Sequence, residues 1–150
     1  MFQEKQVLYF KPFYFNNGNT CKNKYFIVLR NINNKSVVAT LPTSKDNAPG
    51  LTKPSHGCGN LDDRMYSCYI IEKGRCVCCN GFSFPRQTYI YGNQVDTLDV
   101  DIVEETYKIK NVDYEEIDVL TDEEYNAIVK CIMSSPSAKG KIKRLLSASK

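Results

Sequence analysis

Hydrophobic positions in the first ninety or so residues fall into short runs divided by turn-forming residues, and such runs predict strands. Val7 to Phe15 is apolar and aromatic but broken by Lys11-Pro12, which marks an edge or a bend in a first strand. Tyr25 to Leu29 and Ser36 to Leu41 predict two more. Asn31-Ile32-Asn33-Asn34-Lys35 joins them as a hairpin, because asparagine tolerates the left-handed backbone that tight turns need. Lys45 to Arg64 shows no periodicity and holds Pro49, Gly50, Pro54, Gly57 and Gly59, so a long, functional or mobile loop is expected. Met65 to Ile71, Arg75 to Cys79 and Phe82 to Tyr91 return to strand character, with turns near Glu72-Lys73-Gly74 and Asn80-Gly81.

After Gly92 the pattern changes to helix. Asp99 to Tyr107 predicts a short helix or turn. Thr121-Asp122-Glu123-Glu124 has the form of a capping box, with Thr121 as N-cap and Glu124 three residues on. Tyr125, Ile128, Val129 and Ile132 then recur at helical spacing, so one face of a helix ending near Ser134 packs on the strands. Ser134 to Lys150 is small, polar and basic, and reads as a mobile tail, transiently helical through Ile142, Leu145 and Leu146. The expected organisation is one domain over residues 1–134 and a basic tail over 135–150. Its class is mainly β with a C-terminal helix (α+β), a small twisted barrel.

Composition narrows this picture. At 150 residues, 42% hydrophobic and 11% aromatic, the chain can bury a core as one domain. It has no apolar run of about 18 residues, and Met1-Phe2-Gln3-Glu4-Lys5 lacks the basic and apolar regions of a signal peptide, so a cytoplasmic protein without membrane association is expected. Seven cysteines, an odd number, are then expected to be reduced thiols. Charge is segregated: residues 1–95 carry 12 Lys/Arg against 5 Asp/Glu, residues 96–124 carry 2 against 12, and residues 125–150 carry 6 against none. A basic body of this kind attracts polyanions on one face and repels them elsewhere; a solvated acidic helix and loop is the plainer alternative.

Candidate chemistry lies where polar residues end hydrophobic strands. Lys24 leads into one strand, while Thr43 and Ser44 leave its neighbour, so a cation and hydroxyls can meet around a phosphate. Lys22, Lys45 and Arg86 are candidates to hold flanking phosphates. His56, the only histidine, is a candidate for a catalytic or substrate-binding role because imidazole as a residue type suits acid or base work near neutral pH, although a loop histidine is more often a bystander. Cys76, Cys78 and Cys79, with Cys58, Cys68 and His56, offer thiolates for zinc, but buried strand cysteines are the expected reading and no metal site is assigned. Phe13, Tyr14, Phe15, Phe82, Phe84, Tyr89 and Tyr91 are free either to stack on unpaired bases or to fill the core.

Three separated stretches resemble the MazF/PemK family of toxin endoribonucleases. Lys24-Tyr25-Phe26-Ile27-Val28-Leu29 is similar to the family's Arg-Pro-x-Val-Val-Leu strand, and Ala39-Thr40-Leu41-Pro42-Thr43-Ser44 to its x-Val-Pro-x-Thr strand end. Asn93-Gln94-Val95-Asp96-Thr97-Leu98-Asp99 is similar to Asp-Gln-Val-Arg-Thr-Ile-Asp, and Val119-Leu120-Thr121-Asp122-Glu123-Glu124 to the opening of the family's final helix. The chain departs from the pattern in placing Lys24 where the family has its catalytic arginine, Ser44 at its catalytic threonine, Tyr25 at the following proline and Asn93 at the leading aspartate. The resemblance implies an SH3-like barrel that dimerises. It implies cleavage of single-stranded RNA by the ribose 2′-hydroxyl without metal or other cofactor, with Lys24, Ser44 and Thr43 at the reacting phosphate. It also implies inhibition by an antitoxin whose acidic, disordered segment fills the RNA groove. The alternative is a non-catalytic SH3-like module that binds nucleic acid or protein.

Overall fold

The computed structural model describes residues 2–14, 21–41, 56–61 and 66–147. Strands β1 (Gln6–Tyr14), β2 (Cys21–Ile32) and β3 (Lys35–Leu41) form an antiparallel meander. The β2–β3 turn is the two residues Asn33-Asn34, with Asn33 at φ 55°, as the asparagines predict. β7 (Val95–Asp99) pairs with β3 and β8 (Tyr114–Val119) with β1, which gives a five-stranded sheet in the order β7-β3-β2-β1-β8. A second, three-stranded sheet has the order β4 (Gly57–Leu61), β5 (Tyr66–Ile71), β6 (Thr88–Tyr91). Helix α1 (Val100–Thr106) joins β7 to β8, and α2 (Asp122–Met133) and α3 (Gly140–Ser147) end the described chain.

Both faces of the large sheet are covered, which explains why its central strands are continuously apolar instead of alternating. On one face Val7, Ile27, Leu29, Val37, Ala39 and Leu41 meet Tyr69 and Ile71 of β5, Ile90 of β6, Ile128 and Ile132 of α2, and Ile142 of α3. On the other, Leu8, Phe10, Phe26, Val28 and Val38 meet Phe2, Val103, Tyr107 and Tyr114. A bulge at Leu29 breaks the alternation, since Val28 faces Val38 but Arg30 faces Val37. It turns buried Arg30 toward α3, where Nη1 donates to the main-chain oxygen of Leu146 at 2.9 Å, a cation against a helix C-terminus.

The mainly β architecture with a C-terminal helix is therefore present, with several differences from the sequence reading. β7 and β8 are the two edges of the large sheet, and no ladder among the described strands joins them, so the hydrogen bonding forms two sheets instead of one closed barrel. β4 lies inside the stretch read as a loop. Arg75 to Cys79 makes isolated bridges, Cys76 with Ser83 and Cys78 with Leu120, in place of a strand. β8 occupies acidic sequence read as helix and loop. Beyond Ser134, where a mobile tail is expected, α3 docks Ile142, fully buried, and Leu146 on the core.

Candidate functional site

The β2–β3 ladder ends at the proposed phosphate site. Tyr25 is paired with Leu41, the last residue of β3, so the chain leaves β3 beside Lys24. Lys24 itself is opposite Phe10 on β1 and half-buried. Cross-strand partners share a face, so Lys24 lies on the Phe10 side of the sheet and Tyr25 on the Leu41 side. Thr43, Ser44 and Lys45 lie outside the described residues. Lys22 is placed by its backbone in β2, opposite Phe13, and its side chain is likewise outside them. Arg86 is exposed in the turn before β6, where its main-chain oxygen accepts from Thr88 Oγ1 at 2.9 Å.

Aromatic rings line the Leu41 side of this strand end. Tyr9 and Tyr25 are 4.5 Å apart, Tyr25 and Phe84 5.3 Å, Tyr25 and Phe82 5.9 Å, and Phe82 and Phe84 5.0 Å between centroids. Phe84 is buried, whereas Tyr9, Tyr25 and Phe82 keep part of their surface open. Burial, reinforced by Tyr9 and Glu115, pushes the Tyr25 phenol up, so it remains a neutral donor at physiological pH. Of the other candidate stacking residues, Tyr89 and Tyr91 are core. Phe15 lies outside the described residues, as do the side chains of Phe13 and Tyr14.

His56 is held elsewhere, in a cluster that the sequence does not announce. Its Nδ1 is 3.2 Å from the Glu72 main-chain N–H, which donates to it, so the ring proton sits on Nε2, 2.7 Å from Glu124 Oε1. Tyr69 Oη donates to the same carboxylate oxygen at 2.8 Å. The His56 and Glu124 side chains are 11% and 13% exposed, so the pair is largely screened from water. Burial, with the Glu124 bond, pushes the Tyr69 phenol well up. Both imidazole nitrogens are thus hydrogen-bonded within the fold.

Glu124 was legible as a cap residue, and half of that reading holds. Thr121 Oγ1 accepts from the Glu124 N–H at 3.3 Å, but the Thr121 N–H donates to the main-chain oxygen of Val77 and the Glu124 carboxylate is given to His56 and Tyr69.

The cysteines also depart from the sequence reading. Cys58 of β4 and Cys131 of α2 form a disulfide across 73 residues of sequence, with Cα atoms 5.5 Å apart, so the expectation that every cysteine is a free thiol does not hold. Cys68 and Cys78 are free and buried, and burial pushes their thiols up to about 11 and about 12, the latter with help from Asp118. Protonated thiols are poor metal ligands and poor nucleophiles. Cys76 and Cys79 are free and exposed. No group of three potential metal-ligating side chains gathers among the described residues, and no described helix is long and apolar enough to cross a membrane.

Compared with protein-family models, curated proteins and solved structures, the chain matches none of them.

Proposed function

We propose that this chain is a divergent MazF/PemK-like toxin protein that cleaves single-stranded RNA, its two sheets corresponding to an opened SH3-like barrel. One observation supports the reading: Tyr25 is paired with Leu41, so β3 ends beside the strand position of Lys24, and Thr43 and Ser44 follow Leu41 two and three residues on in the sequence. Attack of a ribose 2′-hydroxyl on the adjacent phosphorus expels the 5′-oxygen and leaves a cyclic phosphate. The protein must then stabilise added charge on the phosphoryl oxygens and move two protons. Lys24 supplies the charge as an ammonium, without the bidentate fork of an arginine. Ser44 and Thr43 offer hydroxyls to the phosphoryl oxygens, while Lys22, Lys45 and Arg86 hold neighbouring phosphates. In this reading the protein acts in the cytoplasm as a homodimer, and an acidic disordered segment of an antitoxin competes for the same strand end.

A binding-only module is the second reading, favoured by the partly open Tyr9, Tyr25 and Phe82 rings, which suit stacking without chemistry.

Incubation of a long mixed-sequence RNA with the protein in EDTA, followed by analysis of the new ends, separates the two readings. Cyclic phosphate ends that disappear in both Lys24→Ala and Ser44→Ala are the expected outcome. Intact RNA that nonetheless binds the protein with a steep salt dependence transfers the assignment to the binding module.

A further inference from the structure

Among the described strands β4 lies at a sheet edge, paired with β5. Its sequence, Gly57-Cys58-Gly59-Asn60-Leu61, is glycine-rich and poor in β-branched residues, a composition that makes a weak strand. Two side-chain ties run from its start to α2: His56 to Glu124 and Cys58 to Cys131. Glu124 and Cys131 are about two helical turns apart, so both ties reach one face of the helix. Cys58 is exposed and Cys131 is buried, so the disulfide is open to solvent from the β4 side.

We propose that the Cys58–Cys131 disulfide is a redox latch, which holds β4 on α2 when oxidised and releases β4 locally when a dithiol reduces it. One thiolate of the reductant attacks Cys58 Sγ. The S–S bond breaks and its electron pair leaves on Cys131 Sγ, which takes up a proton. The second thiol of the reductant, as thiolate, then attacks its own sulfur in the mixed disulfide. Cys58 departs as a thiolate and is protonated, and the reductant is left as a cyclic disulfide.

The helix side of the latch already has a home for its thiol, because the main-chain oxygen of Cys68 is 3.7 Å from Cys131 Sγ. The buried thiol of Cys68, pushed up to about 11, does not compete as an internal attacking group. Once the covalent tie is cut, the described side-chain and ladder ties of this glycine-rich edge are His56–Glu124 and the pairing with β5, and such a segment is of the kind that opens without unfolding the rest. This inference stands apart from the RNA reading, since it concerns β4 and α2 and not the β2–β3 strand end.

Hydrogen exchange on the full chain, with and without dithiothreitol, tests it. Amides of residues 56–61 are expected to exchange about tenfold faster or more after reduction, with β1 and β2 unchanged. Cys58→Ser, a change at an exposed position, should reproduce the fast exchange without reductant. Equal exchange of residues 56–61 in both states makes the bond a static staple and overturns the latch. Unfolding of the whole chain on reduction overturns it as a local device. Alkylation of both Cys58 and Cys131 in folded protein purified without reductant removes its premise.

Discussion

Replacing Asp118 with Asn tests whether one buried carboxylate holds the Asn80–Phe82 turn against β8. Asp118 is 8% exposed and accepts from the main-chain N–H of Asn80 at 3.2 Å, of Phe82 at 3.1 Å and of Val119 at 2.7 Å, and from Asn80 Nδ2 at 3.0 Å. An amide keeps the shape but offers one oxygen in place of two and turns an NH2 toward groups that are themselves donors. Leaving about one buried N–H without an acceptor costs roughly 1–3 kcal/mol, so Asp118→Asn is expected to lose about 2 kcal/mol at pH 7 and Asp118→Ala about 3. Burial alone raises the Asp118 pKa, but the bonds from Val119, Phe82 and Asn80 outweigh it and hold the carboxyl below its ordinary range. A carboxyl lowered on folding contributes stability that is complete above its unfolded pKa and is lost as pH falls through the folded one. The gap between wild type and Asp118→Asn should therefore be constant from pH 7 to 5 and narrow below about pH 4. Urea unfolding of both proteins at pH 7, 5 and 3 measures it, and taking the difference removes the background from Asp96, Glu116 and Asp122, which are also lowered. A gap under about 0.5 kcal/mol at pH 7, or one that does not narrow in acid, refutes the account.

Two further substitutions probe packing that joins distant segments. A Cβ at Gly92 would lie 2.3 Å from Ser135 Oγ, and Ser135 is buried, so Gly92→Ala should lower stability by about 1–3 kcal/mol; Gly140→Ala, which meets only the end of Arg144 at 3.4 Å, is the control. Calorimetry that shows equal melting for both variants would contradict this contact. Ile142→Ala removes a fully buried side chain of α3 and should cost about 2–4 kcal/mol, whereas a change near zero in denaturant titration would mean that residues 135–147 behave as a tail.

The features legible in the sequence are those fixed by neighbouring residues. The Asn33-Asn34 hairpin, the Thr121 cap and the spacing of Ile128 and Ile132 on α2 depend on backbone preferences and on periodicity within a few residues, and each is found where the pattern puts it. β8 was hidden because its carboxylates suggest solvent, whereas in the fold they are answered one by one from elsewhere. Lys11 is 2.8 Å from Glu115, Gln6 Nε2 is 2.6 Å from Glu116, and the Asn80–Phe82 turn surrounds Asp118. α3 was hidden for the related reason that a short basic segment is not helical alone, and acquires its helix by laying Ile142 and Leu146 on the large sheet.

The candidate sites divide in the same way. The strand position of Lys24 was legible because it depends on register next to a well-marked hairpin, a local property that the Tyr25–Leu41 pairing expresses. Glu124, Tyr69 and the Cys58–Cys131 bond have no such signal, since their partners lie 68, 55 and 73 residues away. Short-range sterics and hydrogen bonding are enough to set the meander, its turn and the capped helix, so these follow from neighbouring residues. The separation of the two described sheets, the bonding of both His56 nitrogens within the fold and the covalent tie from an edge strand to a helix arise only when the chain folds. Those outcomes depend on which distant groups remove each other from water.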